Sequence, residues 1–324
     1  AIGRSSAPRP GVGAVSDVDR LQAKLDDVRR EVGKRIVGQR EVLEQVLACI
    51  LCDGNALLES NPGLGKTSMI RTLAAVTDLE FSRIQNTPDL MPSDITGTEI
   101  IRESPQGREF VFEKGPIFAN VVLADEINRA TPKTQAALLE AMQEKQVTAA
   151  GDTYDLPRPF FVLATQNPID QGGTYELPEA QVDRFLLKIL LDYPSFEEER
   201  DIVSLYTGDV AEPSVERVVS RAEIQQMQSL VRQVPIADDV RDRAIRLVQA
   251  TRNREEIEFG ASPRASMALV LTAKARAFMR GRRHVSWEDV VEMAPPVLRH
   301  RILLDFRAER EGLTPDEVID RLLE

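Results

Sequence analysis

"LLESNPGLGKTSM", residues 57–69, closes a short apolar run with a bend rich in Gly and Pro and then presents a lysine followed by a hydroxyl. An apolar strand, a glycine-bearing turn and a helix start in that order make a phosphate-binding loop of the GxxxxGK[ST] kind. Ser60 stands where the first glycine is usual, and a small residue serves there provided its φ stays negative. The expected nucleotide cradle is Asn61, Pro62, Gly63, Leu64, Gly65, Lys66, Thr67 and Ser68. In it, backbone N–H groups at a helix N-terminus face the β- and γ-phosphates. Lys66 reaches those phosphates, and Thr67 offers its hydroxyl to Mg²⁺.

Further along, "VVLADE" sets four apolar residues before Asp125 and Glu126. A buried strand ending in two carboxylates can hold a metal through Asp125 while Glu126 polarises an attacking water. "VLATQNP" repeats the design, delivering Asn167 at a strand's C-terminal end, where α/β sheets place their ligands. Its amide can orient the water or touch the γ-phosphate, or simply cap the turn before Pro168. Arg184 in "PEAQVDRF" reads either as a surface charge or as one supplied to a neighbouring subunit's γ-phosphate. Ser262 and Pro263 in "GASPRA" start a helix, and Arg264 in its first turn opposes the helix dipole, which suggests a task for it or a salt bridge.

Around these motifs, short apolar runs ("NALLES", "EFSRIQ", "NVVLADE", "PFFVLATQ") alternate with helical stretches near 40–52, 66–77 and 132–144. Alternation of that kind predicts a mostly parallel sheet with helices on both faces. Two segments break the rhythm as β-hairpins, at about 97–115 and 145–157. From Pro194 onward helical spacing and N-terminal caps dominate. The chain length suits about two domains, expected at 17–193 and 194–324 after a disordered leader over 1–16 that mixes Ser, Pro and Gly without period.

Lys and Arg number 41 against 52 Asp and Glu, a net charge of −11, which argues against a broad grip on nucleic acid or anionic membrane. No apolar stretch nears the roughly 18 residues of a membrane span, and the expectation is a cytoplasmic location. Cys49 and Cys52 form a CxxC; with only two distant histidines they are read as small buried hydrophobes. Trp287 is read as core and "RGRRH" as a solvated helix end.

Taken together, "VGQ", "NPGLGKT", "TPDLMPSDITG", "DEINRATPKTQAALLEAMQE", "ATQNP", "LPEAQVDRF", "GASPRA" and "LRHRI" resemble the MoxR family of AAA+ ATPases over about residues 18–308. The resemblance implies an α/β fold, a P-loop NTPase αβα sandwich with a parallel sheet followed by a small all-α lid. It assigns Lys66 and Thr67 to Walker A, Asp125 and Glu126 to Walker B, Asn167 to sensor 1, Arg184 to an arginine finger acting in trans and Arg264 to sensor 2 acting from the lid. Val37 and Gly38 would line the adenine pocket, and Gln85 would gate Glu126. The implied protein is an ATP- and Mg²⁺-dependent ATPase in a ring, usually a hexamer, with ATP at subunit boundaries. It would remodel client proteins or insert metal cofactors, commonly with a von Willebrand factor A domain partner. The alternatives are a nucleotide-gated scaffold with incidental hydrolysis and a nucleic-acid translocase, which the net charge disfavours.

Overall fold

The computed structural model describes residues 12–104, 107–149, 151–168, 173–208 and 213–324. Helices α1 (Val12–Gly33) and α2 (Arg40–Leu51) precede strand β1 (Ala56–Ser60), helix α3 (Lys66–Val76), strand β2 (Phe81–Gln85) and the short helix α4 (Pro92–Thr96). There follow β3 (Gly97–Ser104), β4 (Gly107–Lys114), β5 (Val121–Asp125), α5 (Pro132–Glu144), β6 (Gln146–Ala149), β7 (Asp152–Asp155), β8 (Phe161–Gln166), α6 (Glu179–Val182) and β9 (Leu187–Leu191). Helix α1 begins inside the stretch expected as leader; the rest of that stretch, residues 1–11, lies outside the described residues.

Five strands form one parallel sheet in the order β2-β5-β8-β1-β9. Its middle strand pair is apolar because helices cover both faces: all of β5 and residues 161–165 of β8 are buried. The edge strand β9, "LKILL", is absent from the runs singled out in the sequence. Polar Lys188 interrupts it, and the paired carboxylate of Glu59 2.7 Å away explains how that lysine is accommodated. All five strands point the same way, so Ser60, Gln85, Asp125 and Gln166 end together at one edge of the sheet.

The segments 97–115 and 145–157 carry the two antiparallel pairs β3–β4 and β6–β7, outside the main sheet. They touch each other: Phe112 stacks on Tyr154 with ring centroids 4.2 Å apart. Of the expected second turn, Ala150 lies outside the described residues.

Beyond β9 the chain is helical: α7 (Phe196–Thr207), α8 (Arg221–Gln233), α9 (Asp238–Ala250), α10 (Pro263–Met279), α11 (Trp287–Leu298), α12 (Phe306–Arg310) and α13 (Pro315–Leu323). Helix α10 is the lid's axis, with Ala265, Leu269, Ala273 and Phe278 buried against α8, α9, α11 and α2. One core therefore runs continuously from α1 and α2, across one sheet face, into the lid; a second lies under α5 on the other face. The lid is not purely helical, because β10 (Ile257–Phe259) and β11 (Leu303–Leu304) pair antiparallel. Strands of three and two residues are too short to leave a period in the sequence. Trp287 packs on the lid core beneath the guanidinium of Arg243, 3.8 Å from the ring centroid. Arg282 of "RGRRH" bonds Ser286 and the buried Asp289 that cap α11. Cys49 and Cys52 are free and buried, and burial pushes both thiols up from their ordinary acidity.

Candidate functional site

At the end of β1, Ser60 is 3% exposed and keeps a negative φ, so the turn proceeds without the missing glycine. Its hydroxyl has no hydrogen-bond partner among the described residues. Gly63 (φ 83°) and Gly65 (φ 77°) then take left-handed conformations that strain any other residue. Helix α3 opens at Lys66, and its first i→i−4 bond is Met69 N–H to Gly65 O at 3.0 Å. The amides of Lys66, Thr67 and Ser68 thus have no carbonyl of their own helix to serve, the condition for anion binding at a helix start.

The loop is pinned from the side. Gln39, the Gln of "VGQ", donates Nε2–H to Leu64 O at 2.8 Å. Gly38 has φ 67°, a conformation that strains a residue with a side chain, and it lies close to α7, where a Cβ would sit 2.6 Å from the carboxylate end of Glu198. Val37 and Gly38 line a cleft of about 690 Å³ with Ile36, Gln39 and Leu43, contiguous with the loop through Gln39.

On the neighbouring strands the two carboxylates are tightly engaged. Thr165 of β8 donates its hydroxyl to Asp125 Oδ1 at 2.7 Å and accepts the Glu126 N–H at 2.9 Å. Arg83 of β2 donates one Nη2 to Asp125 Oδ2 at 2.6 Å and to Gln85 Oε1 at 2.7 Å. Gln85 in turn donates Nε2–H to Glu126 Oε2 at 3.1 Å, and Arg129 lies 3.3 Å from the same oxygen. Burial opposes ionisation of Asp125, but the hydrogen bonds from Thr165 and Arg83 and the charges of Lys66 and Arg83 outweigh it, holding the carboxyl below its ordinary value. Glu126 adopts φ 55°, which turns its side chain out of the strand's alternation. Asn167 directly follows β8 at the same edge. Lys66, Thr67, Gln85, Asp125, Glu126 and Asn167 thus share the C-terminal edge of the sheet.

Arg184 and Arg264 do not join them. Leu187 of β9 registers with Ala56, the first residue of β1, so Arg184 lies at the opposite edge of the sheet. The five residues of β1 separate it from its own phosphate loop by about 15 Å at ~3.3 Å per residue. Arg184 and Arg264 line one cleft of about 340 Å³ together with Asp53, Lys145, Asp183 and Arg301. Both arginines are exposed, and neither makes an ion pair among the described residues. Asp183, the residue before Arg184, joins the segments that carry them. Its Oδ1 accepts from Arg301 Nε at 2.9 Å and its Oδ2 from the hydroxyl of Ser262, the N-cap of α10, at 3.2 Å. Arg301, 3% exposed, also donates to the carbonyls of Asp183, Phe185 and Leu186. Beside it His300 Nε2 meets Phe185 O at 3.0 Å. Burial, followed by the charge of Arg301, holds the imidazole well below its ordinary pKa, hence neutral.

Sequence reading missed Arg83, Thr165, Arg129, Asp183 and Arg301. Arg83 and Gln85 sit two apart on a strand and share a face, a signal available in "FSRIQ". Asp183–Arg301 pairs residues 118 positions apart, for which one sequence holds no signal.

Residues 55–187 match the profile of the ATPase family associated with various cellular activities, and residues 249–322 that of an AAA lid domain. The chain is 44% identical to Chaperone MoxR1 of Mycobacterium tuberculosis, over 98% of its own length and 85% of that protein. It is 43% identical to YeaC of Bacillus subtilis, over 94% of each. A crystal structure from Cytophaga hutchinsonii, described as that of a candidate ATPase, superposes with a TM-score of 0.90 at 42% identity over 96% of both chains.

Proposed function

Since the chain belongs to the MoxR family of AAA+ ATPases, we propose that it hydrolyses ATP with Mg²⁺ as one subunit of a closed ring, expected to be hexameric, and uses the cycle to remodel client proteins or insert metal cofactors into them. The observation that carries the reading is the placement of Arg184 and Arg264 together at the sheet edge opposite the phosphate loop. A subunit of this shape holds half of a hydrolytic site at each edge, and a head-to-tail ring brings the halves together. The relative named a chaperone supports the client role. A von Willebrand factor A domain partner and a cytoplasmic location complete the proposal; among the described residues no helix is long and apolar enough to cross a membrane.

In this reading the amides of Gly63 to Thr67 and Lys66 bind the β- and γ-phosphates, while Val37 and Gly38 pack against the base. Thr67 and Asp125 are hard oxygen donors that suit Mg²⁺. Among the described residues no group of three or more His, Cys, Asp and Glu could hold a metal unaided. That fits an ion held jointly by one or two protein oxygens and phosphates. When bound, the metal neutralises charge on the transferring phosphoryl group. Glu126 polarises the water that attacks, Asn167 orients it, and Arg184 and Arg264 of the adjoining subunit stabilise the charge that develops.

Mixing complementary inactive variants tests the proposal. Lys66→Ala combined with Arg184→Ala restores complete boundaries and recovers activity, and Lys66→Ala combined with Arg264→Ala does the same. If Arg264 served its own chain, the second mixture would stay inactive while the first recovered. Absence of recovery in both, with mixed oligomers shown to form, overturns the ring reading.

A further inference from the structure

Each oxygen of Asp125 already accepts one hydrogen bond from the chain itself. Oδ1 accepts from Thr165 and Oδ2 from Arg83. Each oxygen keeps a further lone pair, but a divalent ion brought to this carboxylate would stand beside the Arg83 guanidinium, 2.6 Å from Oδ2, and the repulsion between the two cations favours one donor giving way. Thr165 cannot. It is fully buried, and its oxygen also accepts the Glu126 N–H at 2.9 Å, which fixes the hydroxyl between two strands. Arg83 can, because its side chain is 45% exposed on the edge strand β2, on a long flexible stem, and its other contact is the Gln85 amide.

We propose that Arg83 is a placeholder cation, which occupies the outer oxygen of Asp125 until a divalent ion displaces it and which transmits that displacement to the water-activating glutamate. The transmission runs through Gln85. While Arg83 holds Gln85 Oε1, the amide is oriented with Nε2 toward Glu126 Oε2. Departure of Arg83 removes the bond that fixes this orientation, so Gln85 can turn away from Glu126, whose carboxylate among the described residues is also met by Arg129 at 3.3 Å. An empty site thereby keeps its metal ligand charge-compensated and its base engaged, and arrival of the ion undoes both.

The inference rests on the assignment of the metal to Asp125, and the experiment separates the two. A fluorescent ADP analogue is titrated into wild type, Arg83→Ala, Arg83→Lys and Asp125→Asn across Mg²⁺ concentrations from an EDTA-buffered zero to millimolar, with circular dichroism melts to verify folding. Arg83→Ala lowers the Mg²⁺ concentration at the half-maximal gain in affinity about fivefold, the order expected when a partly exposed charge-assisted hydrogen bond no longer competes. Its affinity in EDTA stays within about twofold of wild type on the same reasoning. Arg83→Lys falls between them, because an ammonium supplies charge but cannot match the planar fork. At limiting Mg²⁺ the alanine variant hydrolyses ATP faster than wild type, and the rates converge at saturation. An unchanged or raised Mg²⁺ midpoint in Arg83→Ala overturns the placeholder role. A Mg²⁺ midpoint in Asp125→Asn equal to that of wild type overturns the metal assignment instead.

Discussion

The two edges of the central sheet are built on opposite plans. The C-terminal edge is a set of short motifs, each complete within a few residues of one strand end: a loop of backbone amides and Lys66 after β1, two carboxylates at the end of β5 and an asparagine after β8. The N-terminal edge brings Arg184 from the core and Arg264 from the lid into one cleft, and the segments that carry them are joined where Asp183 bonds Arg301 and Ser262. One edge offers carboxylates and anion-binding amides, the other exposed cations, and the proposed ring would set the second against the first in a neighbouring copy. In the proposed ring a site divided in this way would hydrolyse only when assembled, coupling chemistry to the geometry of the boundary.

The largest effect that can break this comparison is catalytic. Arg184→Ala and Arg264→Ala remove charge from the N-terminal edge alone, so each loses on the order of 10³-fold in turnover while nucleotide affinity of the isolated chain is unchanged. Equilibrium binding beside steady-state ATPase rates checks this, and a loss of affinity in either variant would place that arginine at its own chain's nucleotide.

Next comes stability. Asp183→Ala strands the buried guanidinium of Arg301, and such a loss costs about 3–5 kcal/mol, read by urea denaturation. Arg184→Ala, one residue along and exposed, leaves the midpoint within about 0.5 kcal/mol of wild type. Equal midpoints for the two would show that Asp183 is not the clamp of this edge.

A pH series probes the same clamp more gently. The folded pKa of His300 lies well below its ordinary 6.5, so under acid the unfolded chain takes a proton that the folded chain refuses. Stability is therefore full above pH 6.5 and falls as the pH drops below it, by up to about 1.4 kcal/mol per unit. Arg301, Lys188 and Arg299, all cationic, face the imidazole and push in the same direction. His300→Gln removes this slope between pH 6.5 and 5; an unaltered slope would mean that other groups produce it.

The smallest effect belongs to the opposite edge. Ser60→Ala deletes a buried hydroxyl without a partner and raises stability by about 1 kcal/mol, measured by thermal melts, with ADP affinity within about twofold of wild type. A marked fall in affinity would make the Ser60 hydroxyl part of the phosphate cradle rather than a tolerated substitution.

Much of the C-terminal edge was legible in the residues because its function is carried by local chain conformation. A glycine-bearing bend between strand and helix, and carboxylates or an amide at the ends of apolar runs, announce themselves within a dozen residues. The αβα core, the lid helices and the positions of both hairpins follow from the same short-range periodicities. Strand β9 and the β10–β11 ribbon escaped because one carries a charge at a paired position and the other is too short to show a period. What the sequence could not contain is that Arg184 and Arg264 line one cleft, which oxygen of Asp125 Arg83 bonds, and that Asp183 and Arg301 clamp one edge. Those relations join residues from 42 to 118 positions apart. They exist only after burial of one continuous core from α1 to the lid has fixed the strands and helices against each other.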